Sequence, residues 1–196
     1  MCNDFGNKVP YAAYVEALAQ LKIPLIQPDL IPNLEPREDI RPTDKAPVLK
    51  GRDDGKAEFA QMKWGFLPGR PKAAPVINFR SDGRTFDKGR CLVPASHFFE
   101  FTGTKYPKTK WKFMLPDEDW FAIAGLWRLQ ETPDGPQERF TLLTCEPGPD
   151  VAKFHDRQIV VLDRKDWAAW LNLSQPMGGV CRASPEGTFK VEQVVR

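Results

Sequence analysis

The chain has 196 residues, 41% hydrophobic and 11% aromatic, enough apolar side chain for a sizeable core. Lysine and arginine number 28 against 26 aspartate and glutamate, and no apolar run approaches the roughly 18 residues of a membrane-spanning helix. Wholesale disorder and a membrane role are thereby excluded, and one domain over residues 1–196 is expected. The opening Met-Cys-Asn-Asp-Phe has neither a basic nor an apolar leader segment, which predicts a cytoplasmic, nucleoid-associated location.

The first regular element is a helix over residues 10–21. Tyr11, Tyr14, Val15 and Leu18 fall at i, i+3, i+4 and i+7, and Pro10 suits a first helical turn. Between residues 23 and 47, Pro24, Pro28, Pro32, Pro36, Pro42 and Pro47 forbid a long helix and predict an extended wrap over the domain surface. Short β-type runs follow at 59–66, 91–93, 98–102, 111–115, 120–127 and 139–145. Residues 116–119 and 132–137 carry the turn chemistry of hairpin loops. A strand at 158–162, a short helix capped by Asp163 and holding Trp167 and Trp170, and a closing strand at 189–195 complete the chain. This order predicts an α+β fold with a mainly antiparallel, barrel-like sheet and flanking short helices.

Several chemistries have no support. P-loop, dinucleotide, nucleophile-elbow and HExxH motifs are all missing. Cys2, Cys91, Cys145 and Cys181 lie far apart, with only His97 and His155 to supplement them, so no metal and no cofactor are expected. The thiols read as reduced, and the apolar neighbours of Cys91 and Cys145 predict burial. Charge is uneven: residues 63–112 hold eleven bases and three acids, while the remainder is net acidic. That segment is either a polyanion-binding surface or a set of solvated loops.

Four positions carry candidate chemistry. If Met1 is removed, the α-amine and thiol of Cys2 sit on adjacent carbons and can close a five-membered thiazolidine on an aldehyde. Their reference pKa values of ~7.7–8.0 and ~8.5 leave both partly nucleophilic at neutral pH. Otherwise Cys2 is an accident of position. Glu100 stands among His97, Phe98, Phe99 and Phe101. Strand alternation puts Phe98, Glu100 and Thr102 on one face, so Glu100 is either an outward acid or a desolvated one suited to proton transfer. His155, before Asp156 and Arg157, is a proton shuttle or a loop histidine. Asn78 and Arg80 either recognise phosphate or hold a turn.

Taken together, these positions resemble the SRAP (SOS-response-associated peptidase) family, whose members shield abasic sites in single-stranded DNA. The matching blocks come in family order: Met1-Cys2; Pro42-Thr43 with Pro47-Val48-Leu49; Trp64-Gly65-Phe66-Leu67-Pro68; and Ile77-Asn78-Phe79-Arg80. Then follow Arg90 to Ala95 leading into Phe98-Phe99-Glu100, Ala124-Gly125-Leu126-Trp127, and His155-Asp156-Arg157 before Val160-Val161-Leu162. The chain also departs from the pattern. Asn3 and Asp4 replace the usual Gly-Arg, so a basic DNA contact beside the nucleophile is missing or reversed in sign. Asp82 replaces a glutamate, Phe101 a tryptophan, and Gln158-Ile159 a Met-Pro.

The resemblance implies single-stranded DNA with an abasic site as partner, and a monomer is expected because it fits a chain that must close around a DNA end. Cys2 would form the thiazolidine link to the sugar aldehyde, Glu100 would move protons, and His155 would hold the sugar or its 3′ phosphate. Asn78 would orient the Cys2 backbone or a sugar oxygen. Arg80, Lys63, Arg84 and Arg157 would bind DNA, with Trp64 stacking on a base or wedging a duplex end. Two alternatives stand beside this: a thiol (auto)peptidase with Cys2 as nucleophile and His155 as base, and a non-catalytic single-stranded DNA-binding module.

Overall fold

The computed structural model describes residues 2–70 and 72–195. The chain opens with β1 (Phe5–Asn7), α1 (Tyr11–Gln20), β2 (Leu25–Ile26), β3 (Arg37–Ile40), β4 (Lys45–Gly51), β5 (Ala57–Trp64) and β6 (Asn78–Arg80). It continues through β7 (Arg90–Ala95), β8 (His97–Thr102), β9 (Thr109–Met114), β10 (Phe121–Gln130) and β11 (Gln137–Cys145). Then come α2 (Pro149–Ala152), β12 (Gln158–Ile159), β13 (Val161–Leu162), a 3₁₀ turn (Arg164–Asp166), α3 (Trp167–Leu171) and β14 (Lys190–Val194).

Five strands close on themselves. β5, β4, β7, β10 and β11 pair antiparallel in that order, and β11 returns to β5 in parallel, with Arg139 opposite Lys63 and Phe140 opposite Trp64. The barrel-like sheet expected from the strand pattern is therefore present. Closure removes the free edges that an open sheet would expose. The second sheet runs β14-β9-β8-β1-β3. β7 and β8 are separated by Ser96 alone, so one nearly continuous stretch passes from the barrel into this sheet. β1 fits between β8 and β3 because residue 6 is glycine: a Cβ there would run into the His97 imidazole and the Glu38 carbonyl.

Alternation along the strands sorts side chains into two cores. One gathers Met62, Trp64, Val93, Ile123, Phe140 and Leu142 of the barrel with Phe98 and Phe113 of the second sheet, and it includes Cys2. The other lies between the barrel and the helices, where Tyr14 and Leu18 of α1 meet Trp120, Trp167 and Trp170. α1 spans nearly the expected residues, with Pro10 in extended conformation just before it.

Some expectations need correction. Residues 116–119 do not close a hairpin; they carry the chain from β9 in one sheet to β10 in the other. Turn chemistry marks where the chain bends, not which strands it joins. The 132–137 stretch does join a hairpin, β10 to β11, with the Thr132 hydroxyl donating to Gly135 O at 2.7 Å and Gly135 at φ +97°. Asp163 makes no capping hydrogen bond; its carboxylate instead pairs with Arg182 at 2.9 Å and Lys165 at 3.3 Å. The proline-rich wrap ends sooner than expected, since Pro47 lies within barrel strand β4, opposite Gln61. Among the described residues, no helix is long and apolar enough to cross a membrane.

Candidate active site

Cys2 lies three residues before β1 begins, and three contacts seat it. The Asn78 side-chain amide donates to the Cys2 carbonyl at 2.7 Å, the Phe99 amide donates to Asp4 O at 3.0 Å, and the Cys2 thiol lies 3.4 Å from Asp4 O. Cys2 is 1% exposed. Burial pushes its thiol well above the ordinary cysteine range, and the nearby Glu100 charge pushes the same way. The thiol is therefore protonated at neutral pH.

Asn78 and Arg80 alternate on short strand β6, which pairs in parallel with β11 at Leu142 and Thr144. Side-chain alternation puts both on one face of β6, while Phe79 packs into the helix-side core. Asn78 Oδ1 is buried and has no hydrogen-bond partner among the described residues. An acceptor thus stands beside the Cys2 carbonyl. Arg80 is exposed.

Glu100 faces inward. Of the two readings its strand position allows, the outward one is wrong: the residue is 1% exposed on the same face as fully buried Phe98. Desolvation raises its carboxyl to about 7, with the nearby Asp156 charge contributing in the same direction. Trp111 stands opposite Glu100 across the β8–β9 pair, its indole N–H donating to Thr102 Oγ1 at 2.8 Å. Its ring lies 4.9 Å from that of Phe154, which precedes His155.

His155 is held on its Nδ1 side. The Arg157 amide donates to Nδ1 at 2.9 Å, and an Asp156 carboxylate oxygen lies 2.8 Å from the same atom. Burial lowers its pKa, so the neutral ring predominates at pH 7.

Trp64 and Arg157 are placed differently from the DNA-facing roles expected of them. Trp64 is fully buried: its ring meets Phe5 edge-on at 5.1 Å and Phe140 in a stack at 6.3 Å, and its N–H donates to Ile77 O at 2.9 Å. No base can reach it. Arg157 is 5% exposed, its guanidinium donating to Asp82, to Glu146 at 2.9 Å and to the Thr144 carbonyl at 2.9 Å. It ties the loop after Arg80 to the end of β11 and to the His155 segment. Asp82, although shorter than glutamate, still reaches it, and Arg157 holds that carboxyl below the usual range.

Lys63 and Arg84 are not brought to the Asn78 face. Lys63 pairs with Arg139, which by alternation points to the opposite side of β11 from Leu142 and Thr144. The Arg84 guanidinium sits 5.2 Å above the Phe79 ring. Asp4 does not turn a negative charge toward the surface: it is 3% exposed and accepts from Lys110 Nζ at 2.8 Å. Sequence reading missed Trp111, Phe154 and Lys110. Trp111 and Lys110 could have been found through the Lys-Trp-Lys alternation of β9, but only with its register against β8 in hand. Among the described residues, no cluster of three or more His, Cys, Asp or Glu is placed to hold a metal ion. The expected removal of Met1 concerns a residue outside those described.

Sequence places this chain in a known family, and its fold recurs among solved structures. It belongs to the SRAP family, SOS response associated peptidase, which matches residues 1–196. Among its relatives is the abasic site processing protein YoqW of Bacillus subtilis, 31% identical over 135 residues, a match spanning 61% of this chain and 60% of YoqW. The abasic site processing protein YoaM of the same organism is 26% identical over 185 residues, covering 85% of this chain and 78% of YoaM. The fold recurs in a solved protein from Bacteroides thetaiotaomicron at TM-score 0.77 and 16% identity, covering 99% of this chain and 92% of that one. A Bordetella bronchiseptica protein matches at TM-score 0.75 and 19% identity over the full length of both chains.

Proposed function

We propose that this protein, acting as a monomer, binds single-stranded DNA and links Cys2 covalently to the ring-opened aldehyde of an abasic site. The observation that carries the reading is the seating of Cys2: its carbonyl is fixed by Asn78, and its thiol is buried beside a carboxyl whose pKa is about 7. The relatives named abasic site processing proteins supply the substrate class.

The step needs Met1 removed. The free Cys2 amine adds to the aldehyde carbon, and loss of one water leaves an imine. The thiol sulfur then adds to the imine carbon, its proton passes to nitrogen, and a thiazolidine closes. Because burial keeps the thiol protonated, a neighbouring base has to take that proton, and Glu100 near neutrality can both accept and return it. Neutral His155 faces the sugar or its phosphate as a hydrogen-bonding group. Asn78 Oδ1 accepts from a sugar hydroxyl, and Arg80 pairs with a phosphate. Trp111 and Phe154 supply an aromatic wall, the part earlier given to Trp64.

A thiol peptidase needs a thiolate, and the raised pKa of Cys2 counts against that reading. The test is direct. Protein with verified N-terminal Cys2 is incubated with single-stranded DNA bearing one abasic site, then analysed on a denaturing gel and by mass spectrometry. The expected product has the summed mass of protein and DNA less one water. Absence of that product, or its persistence in Cys2→Ala, overturns the proposal. Salt-sensitive binding without an adduct would indicate a DNA-binding module instead.

A further inference from the structure

We propose that Lys110 is a positioning residue for Cys2: clamped between Asp4 and Asp39, it latches the N-terminal segment onto the second sheet. This inference rests on the reading of Cys2 as the reacting residue.

Lys110 lies in β9, two strands away from β1 in the order β9-β8-β1-β3. Its side chain crosses β8, with Nζ 3.6 Å above the Phe99 ring, and donates to Asp4 at 2.8 Å and to Asp39 of β3. One ammonium therefore spans the sheet and bonds carboxylates on both sides of the route the N-terminus takes. The Asp4 side of the clamp is largely dry, with side-chain exposures of 12% for Lys110 and 5% for Asp4, so water competes little there, whereas the Asp39 side chain is 36% exposed. The Asp4 and Asp39 carboxyls also adjoin each other, and Lys110 is the cation that bonds both.

Beyond the burial of Cys2 and Phe5 in the core, few polar contacts hold this segment. β1 is three residues long, and Cys2 lies beyond its end. Apart from the Asn78 and Phe99 hydrogen bonds already described, Lys110 makes the one ion pair to residues 2–4 among those described. In this light, acid at position 4 does not weaken a DNA contact. It forms half of a clamp whose other half comes from β9. Lys112, next on the same face, repeats the reach by donating to Glu38 of β3 at 2.7 Å, but it bonds nothing in residues 2–4.

The test uses the full chain and two readouts. The first is alkylation of Cys2 by iodoacetamide without DNA, followed peptide by peptide by mass spectrometry. The second is the rate of adduct formation at saturating abasic DNA, alongside binding affinity and its salt dependence. Lys110→Met keeps the aliphatic stem over Phe99 and removes the charge. It should raise Cys2 alkylation and lower the adduct rate by about tenfold each, the scale of a lost charge-assisted hydrogen bond, with salt dependence unchanged. The swap Asp4→Lys with Lys110→Asp retains every charge and should return both readouts toward the parent values. Unchanged Cys2 alkylation in Lys110→Met overturns the latch, as does failure of the folded swap to restore it. So does a fall in salt slope with the saturated rate intact, which marks a phosphate contact. If the parent makes no adduct while alkylation still depends on Lys110, the reaction proposal fails and the latch stands.

Discussion

Replacing Glu100 by glutamine separates what this carboxyl costs the fold from what it does in the reaction. The group is 1% exposed and titrates at about 7 instead of 4.5. Between those pH values the folded chain holds a proton that the unfolded chain has lost, so stability falls as pH rises through the window and levels off above 7. At ~1.36 kcal/mol per pH unit, the penalty for keeping Glu100 ionised and buried reaches about 3 kcal/mol by pH 8.5. Glutamine has nearly the same shape and no such titration. Urea unfolding of Glu100→Gln and parent should therefore give similar stabilities near pH 4.5 and diverge toward pH 8.5, with the variant more stable by about 3 kcal/mol less whatever its amide leaves unsatisfied. Other shifted groups, Asp4 among them, are common to both proteins and cancel. The same variant should form the abasic-site adduct ~10²–10⁴-fold more slowly, the usual range for a lost proton shuttle. A constant stability difference across the pH range would refute the argument, because the carboxyl would then titrate alike in folded and unfolded chains.

Trp64→Phe should lower stability by about 2–4 kcal/mol through the lost bond to Ile77 O and the space left beside Phe5 and Phe140, with DNA affinity unchanged well below the melting temperature. Full stability with weakened DNA binding would restore the stacking role. Arg80→Ala should reduce the dependence of log affinity on log salt by about 0.7, one phosphate contact on a single strand, whereas Lys63→Ala on the other face of β11 should leave the slope alone. Equal effects from both lysine and arginine would mean that DNA runs over both faces.

The candidate groups Cys2, Glu100, Asn78 and Arg80 each kept a structural alternative in the sequence, and only the order of family-like blocks singled them out. Barrel strand β5 was legible because burial alternates along it, whereas β4 was hidden by the prolines at its start. Trp64 misled because its size and its place in a basic segment fit a surface platform as well as a core. Only the return of β11 to β5, which places Phe140 beside it, decides between them. Arg157 misled likewise, since its carboxylate partners Asp82 and Glu146 stand 75 and 11 positions away. The short strands β1, β3 and β6 carry too few residues for a period to show. β1 and β6 exist because longer neighbours, β8 and β11, offer them a ladder, and β3 is added at the edge of β1.

The parallel return of β11 to β5 also governs when the reactive constellation can exist. β6, which carries Asn78 and Arg80, has β11 as its pairing strand, and Leu142 to Thr144 are the residues it pairs with. A chain emerging from the ribosome can shape its first helix and the β4–β5 hairpin early. It cannot hold Asn78 against Cys2 until more than two thirds of its length is available. Long-range closure of this kind slows folding. Until then the Asn78 amide cannot fix the Cys2 carbonyl, so the seating of the N-terminus belongs to the finished molecule.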